Sequence, residues 1–151
     1  MEATNFQAEE LAEQLKERGS LVIRTIAMPG DTNPSGDIFG GWLLAQMDLA
    51  AGNMAAQIAR GRCATVAIEG IHFVRPVHVG DEVTIYAKLT KLGRSSITMN
   101  IQAWGRARDQ EHSENVITAK FIFVAIDEDG NSRPLPENAD QNLIYTRLPK
   151  A

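Results

Sequence analysis

Apolar residues change their spacing along the chain, and each change marks an element. Residues 1–20 are polar and Glu-rich; Phe6, Leu11 and Leu15 form a thin apolar stripe at helical spacing, which predicts a helical extension outside the main fold. Leu21 to Ala27 is a short β-branched apolar run and reads as a strand. Met28 to Gly36 is dense in turn formers and reads as a loop long enough to have a function. From about Gly41 to Arg60 the period is helical: Leu44, Met47, Ala51, Met54, Ala55 and Ile58 recur on one stripe, with Gly61 as the expected stop. This helix is rich in Ala and carries Gly52 in its interior, a residue that costs about 1 kcal/mol relative to Ala. Close packing against a sheet would account for it.

After the helix the period shortens. Thr65–Val74, Glu82–Leu92, Ser95–Arg106 and Val116–Asp127 read as successive strands. They are separated by Arg75-Pro76 with Gly80-Asp81, by Gly93-Arg94, and by the charged segment Arg108 to Glu114. Short turns make most neighbours antiparallel. With Leu21–Ala27 this gives an α+β domain of five strands and one long helix. Asp129-Gly130-Asn131 opens a polar, Pro-bearing tail expected on the surface.

Bulk composition narrows the function classes. At 151 residues the chain fits one domain, and 15 Lys plus Arg against 19 Asp plus Glu leave a net charge of −4. Such a balance creates no overall field for nucleic acid or an anionic membrane. No positively charged, apolar N-terminal segment is present, which predicts a cytoplasmic protein without membrane insertion. The single Cys63 excludes an internal disulfide, and His72, His78 and His112 show no metal spacing with each other or with it. Asp127 to Asn131 lacks the ligand pattern of a calcium loop.

The chemistry concentrates between Asp31 and Asp48. Backbone N–H groups at a helix start after Gly40-Gly41 are unpaired donors suited to an oxyanion. Asp48 lies four residues after Leu44 and three before Ala51, on their apolar stripe, where a carboxylate needs a partner or a job. On the residues alone, a boundary position reaching solvent is the commoner explanation. Gly40 and Asp48 are also two turns apart, roughly 11 Å along the axis. A substrate spanning both points or a second subunit would close that gap. Asp37 and Asn33, taken alone, are a cap or turn residue and a turn former. Gly93-Arg94-Ser95-Ser96 sets a cation and two hydroxyls at a hairpin, and Arg133 adds another cation; charge-assisted hydrogen bonds to phosphate are possible there, though solvated turns are the plainer explanation.

Taken in order, Met28-Pro-x-Asp-Thr-Asn-x-x-Gly-Asp-Ile-Phe-Gly-Gly-Trp42, Gln46-Met-Asp48, Gly61-Arg62, Phe73-x-x-Pro76, Val79-Gly-Asp81, Gly93-Arg-Ser-Ser96 and Ser132-Arg-Pro134 resemble the YciA-type acyl-CoA thioesterases. The resemblance covers residues 21–136, leaving an N-terminal extension, 1–20, and a C-terminal tail, 137–151. It implies the hotdog fold, a five-stranded antiparallel sheet wrapped around one long central helix. It further implies hydrolysis of acyl-CoA to a free acid and CoA, with no cofactor beyond the coenzyme A of substrate and product. The minimal active unit would be a homodimer, assembling further as a trimer of dimers, with active sites between subunits. By position, Asp48 would be the catalytic aspartate, and Gly40 and Gly41 the oxyanion site. Asn33, in the site's loop, and Asp37 would count with them among the catalytic residues. Asp37 stands where some relatives carry an Asn, a departure that leaves its role open. Arg94, Ser95 and Ser96, joined by Arg133, would hold CoA phosphates.

Two other functions compete. A hotdog hydratase or dehydratase typically uses a His beside the helix, whereas Phe39 precedes Gly40-Gly41 here. An acyl-CoA sensor would bind the same ligand without releasing CoA, and no helix-turn-helix pattern precedes Leu21.

Overall fold

A computed structural model of the protein describes residues 2–143; Met1 and residues 144–151 of the expected tail lie outside them. The elements are α1 (Glu2–Arg18), β1 (Ser20–Ile26), α2 (Gly40–Ala59), β2 (Cys63–Phe73), β3 (Glu82–Leu92), β4 (Ser96–Arg106) and β5 (Glu114–Ala125), with 3-10 turns at Pro29–Asp31 and Ala139–Asn142. The strands form one sheet in the order β1-β3-β4-β5-β2, antiparallel throughout. Two hairpins build its centre, and α2 carries the chain between the outermost strands, β1 and β2.

Period-2 alternation directs one face of this sheet onto the helix. Val83, Ile85 and Ala87 of β3, Ile97, Met99, Ile101 and Ala103 of β4, and Ile117, Ala119, Phe121 and Phe123 of β5 are buried in one cluster with Leu43, Met47, Ala51, Met54, Ala55 and Ile58 of α2. Burial of this apolar surface is the main force holding helix to sheet. Small residues, Ala50, Ala51, Ala55 and Ala59, line the buried side of α2. Gly52 does not need that explanation: a Cβ there would sit 3.6 Å from the Phe123 ring, an ordinary contact. Nothing in the packing of one chain demands glycine at this position.

Strand β2 is the irregular member. Its register with β5 slips between Thr65 and Ala67 and again between Glu69 and His72, where Gly70 has φ 64°. Such slips bend and twist a strand. Only β5 pairs with β2. Val66, Ile68 and Phe73, with the following Val74, are exposed along it.

Three expectations from the sequence change. The helix stops at Arg60, which adopts the left-handed conformation (φ 51°, ψ 45°), rather than at Gly61. Gly61 has another duty, since a Cβ there would lie 2.6 Å from Arg133 Nη2. The polar tail is not simply on the surface: Ala139 and Leu143 are 4% and 8% exposed, and Asn142 Nδ2 donates to Ile58 O at 3.1 Å. The N-terminal extension is helical as expected, but it lies against the sheet. Arg18 stacks 3.5 Å above the Trp104 ring centroid and 5.4 Å from that of Tyr86. Both rings alternate with helix-facing residues, so α1 sits on the outer face, held there in part by cation–π attraction.

Candidate active site

The loop before α2 folds on itself. The Asn33 side-chain oxygen accepts from the N–H groups of Ser35 and Asp37 at 2.9 and 3.1 Å, and Asn33 N donates to Asp37 O at 2.7 Å. Asn33 is therefore the organiser of an Asx-type turn. Thr32 and Ile38 form a bridge, and Ile38 plugs the loop into the core. Asp37 takes part through its backbone; its carboxylate is exposed, with no partner among the described residues.

Helix α2 then begins without a cap. Phe39 at the N-cap makes no side-chain hydrogen bond, and no acidic residue lies in the first turn. First-turn N–H groups have no acceptor inside the helix, so those of Gly40 and Gly41 remain open donors at the positive end of the dipole. Glycine at position 40 lets the Phe73 ring approach closely: a Cβ would lie 2.7 Å from Phe73 Cζ, and the half-exposed ring would have to shift to admit it. A cleft of about 240 Å³ opens here, bounded by Ile38, Gly40, Leu43, Phe73, Val74 and Pro76.

Asp48 lies two turns further along, half-buried on the flank of α2 that faces β2. Thr65 Oγ1 donates to Asp48 Oδ1 at 2.7 Å. The surface around Asp48 is uncovered in a single chain, with Leu49 62% exposed on the helix and Val66 56% exposed on the strand. One chain does not bring Asp48 to the helix start, as the spacing implied.

The remaining candidates gather at the other end of α2. Leu135 N donates to Arg94 O at 2.8 Å, Ala125 N to Ser95 O at 2.9 Å and Arg133 N to Ala125 O at 2.9 Å, which brings Arg94, Ser95, Ser96 and Arg133 into one neighbourhood. Arg94 is exposed. Arg133 is committed to the fold, donating from Nε to Ile126 O at 3.1 Å and from Nη2 to Ala59 O at 3.0 Å. It caps the C-terminus of α2, where a cation also favours the dipole.

Comparison with known proteins gives the chain a family. The thioesterase superfamily matches residues 35–111, half of the chain. The acyl-CoA thioester hydrolase YciA of Salmonella typhimurium is 50% identical over 122 residues, covering 79% of this chain and 92% of the relative. The chain belongs to the YciA-type acyl-CoA thioester hydrolases. A hexameric thioesterase of Yersinia pestis is similar in structure with a TM-score of 0.74, 48% identity, and coverage of 78% of this chain and 95% of its own. A hexameric hotdog fold thioesterase of Campylobacter jejuni has a TM-score of 0.76 at 31% identity, over 83% and 96% of the two chains. The curved five-stranded sheet around α2 is accordingly a hotdog fold.

Other polar features of this hydrolase fit structural duties. Cys63 Sγ sits 3.6 Å from Ala55 O, and burial raises its pKa above the usual thiol value, with the Arg133 charge opposing. A thiol held protonated is a poor nucleophile. A larger cleft of about 420 Å³ beyond Arg75 and Pro76 contains His78, Asp81, His112 and Glu114 but neither Gly40 nor Asp48. Arg75 and Glu114 pair across it at 3.1 Å. Among the described residues no cluster of three or more His, Cys, Asp or Glu could hold a metal, and no helix is long and apolar enough to cross a membrane. Sequence reasoning missed two residues at the site, Thr65 on Asp48 and Phe73 on Gly40. The Phe73-x-x-Pro76 motif marked the second without giving its role; no local pattern marked the first.

Proposed function

We propose that the protein hydrolyses acyl-CoA thioesters to a free acid and CoA at sites completed by two subunits. The observation that carries this is the separation, on one helix, of open N–H donors at Gly40-Gly41 and a half-buried carboxylate at Asp48, joined by an uncovered apolar surface. A two-fold axis through that surface sets two α2 helices side by side and antiparallel, so that Asp48 of one subunit faces the helix start of the other. The same rotation carries the Arg94 end of one subunit toward the partner's helix start, beside the substrate's CoA moiety.

The thioester oxygen then accepts hydrogen bonds from the Gly40 and Gly41 N–H groups, which stabilise the oxyanion as it forms. Asp48 takes a proton from the attacking water, or attacks the carbonyl carbon itself to give a mixed anhydride that water opens. By either route the carbon–sulfur bond breaks and CoA leaves as its thiolate. Arg94, with the hydroxyls of Ser95 and Ser96, holds CoA phosphate. Asn33 and Asp37 shape the loop that leads into the helix start, and Arg133 supports the phosphate hairpin from beneath. The hexameric assembly of the relatives supports a trimer of dimers here.

Following thiol release from acyl-CoA tests the assignment directly. Wild-type protein releases CoA, whereas Asp48→Asn, assembled normally by light scattering, loses at least about 100-fold in kcat. Wild-type rates from Asp48→Asn would remove Asp48 from the mechanism. Binding of acyl-CoA by the wild type without release would instead make the protein a sensor.

A further inference from the structure

We propose that Thr65 is a positioning residue for Asp48, its hydroxyl fixing which carboxylate oxygen faces the substrate; this rests on Asp48 as the reacting carboxylate. A carboxylate can only accept, so in the 2.7 Å contact between Thr65 Oγ1 and Asp48 Oδ1 the threonine donates. The two residues are 17 apart in sequence and sit on different elements, so the bond ties a strand to a helix rather than decorating a turn. It is the one hydrogen bond made by the Asp48 side chain among the described residues. Oδ1 is thereby turned toward Thr65, and Oδ2, which accepts no hydrogen bond from the described residues, is the freer oxygen for water or thioester. Rotation about the terminal bond of an aspartate is otherwise loosely constrained, and a reacting oxygen misplaced by about 1 Å can lose a hundredfold in rate.

The strand itself is shaped for this contact. The register slip between Thr65 and Ala67 comes immediately after Thr65, and slips of this kind re-aim side chains. On the near side Cys63 reaches the helix backbone at Ala55 O, Thr65 reaches Asp48, and Val66 turns outward at 56% exposure. Thr65 is the sole hydroxyl residue in β2. Valine has nearly the same shape and suits a strand as well, but cannot donate to a carboxylate. Thr65 is exposed in the single chain, so its place in the strand does not by itself call for a partner; the short bond to Asp48 is what gives the hydroxyl a task.

The test is Thr65→Val in the assembled enzyme, with steady-state kinetics on one acyl-CoA. We expect kcat to fall about tenfold to a hundredfold, with KM changed by less than about threefold. Thr65→Ser, which restores the donor, should return kcat to within about fivefold of wild type. The double variant Asp48→Asn/Thr65→Val should be no slower than Asp48→Asn alone, because a group acting only through Asp48 has nothing left to position. Thr65→Ala carries the same comparison if valine disturbs assembly. Wild-type kcat in Thr65→Val, equal losses in the valine and serine variants, or additive losses in the double variant would each overturn the proposal. An inactive Asp48→Asn beside a fully active Thr65→Val sinks the positioning role alone, whereas a fully active Asp48→Asn sinks the assignment of Asp48.

Discussion

The two ends of α2 are finished in opposite ways. At the C-terminus the Ile58 and Ala59 carbonyls accept from Asn142 and Arg133, side chains more than 70 positions away, and Arg60 closes the helix in the left-handed conformation. At the N-terminus no side chain caps the first turn, and the ring of Phe73 lies close against Gly40. Helix ends need partners for their orphan groups. The chain supplies them itself at one end and leaves the other bare beside a cleft, so the closed end serves stability while the open end is the one the proposed function gives to the substrate.

That contrast can be broken most forcefully at the open end. Gly40→Ala puts a Cβ against the Phe73 ring and displaces the first donor; kcat should fall about 100-fold, the scale of one lost oxyanion donor. A wild-type rate would mean that the bare end is bare for no chemical reason. At the closed end Arg133→Ala removes two charged hydrogen bonds to carbonyls, and urea unfolding should show a loss of about 2 kcal/mol. Unchanged stability would undo the capping role. Arg94→Ala sharpens the contrast further, because Arg94 lies near the closed end without holding it together. Its KM for acyl-CoA should rise severalfold while unfolding is unaffected and small thioesters lacking CoA phosphates are hydrolysed normally. Equal losses on both substrates would argue against phosphate contact. The smallest effect concerns Cys63, tucked under the same closed end. With its pKa raised, it should be alkylated at pH 8 more slowly in the folded protein than in the unfolded chain.

Legibility in the sequence followed regularity. Strands β3, β4 and β5 and helix α2 keep their hydrophobic periods, and their bounds fall within two residues of those expected. Strand β2 also falls within two residues of its expected bounds but does not keep its period, because each register slip exchanges which residues face the helix; Thr65 could not be assigned to the Asp48 side by alternation. The tail misled through composition. Arg133 and Asn142 look like solvated surface residues, yet single polar side chains reaching back to helix carbonyls fasten it down. Asp48 and Gly40-Gly41 stood out through the ordered motifs around them. Spacing alone warned that these two parts of the site do not meet within one chain. Gly52 ran the other way, since its expected tight packing is absent.

The exposed row Val66, Ile68, Phe73 and Val74 on an unpaired strand edge bears on how the protein is made. Such an edge offers unmatched backbone donors and acceptors along with apolar side chains, a template for any extended chain that meets it. A newly folded subunit therefore runs a race between finding its own kind and finding something else. Yield in refolding or overexpression should depend on how quickly the first encounter between correct copies occurs, and a charged residue at position 66 would keep the lone subunit clean while denying it that encounter.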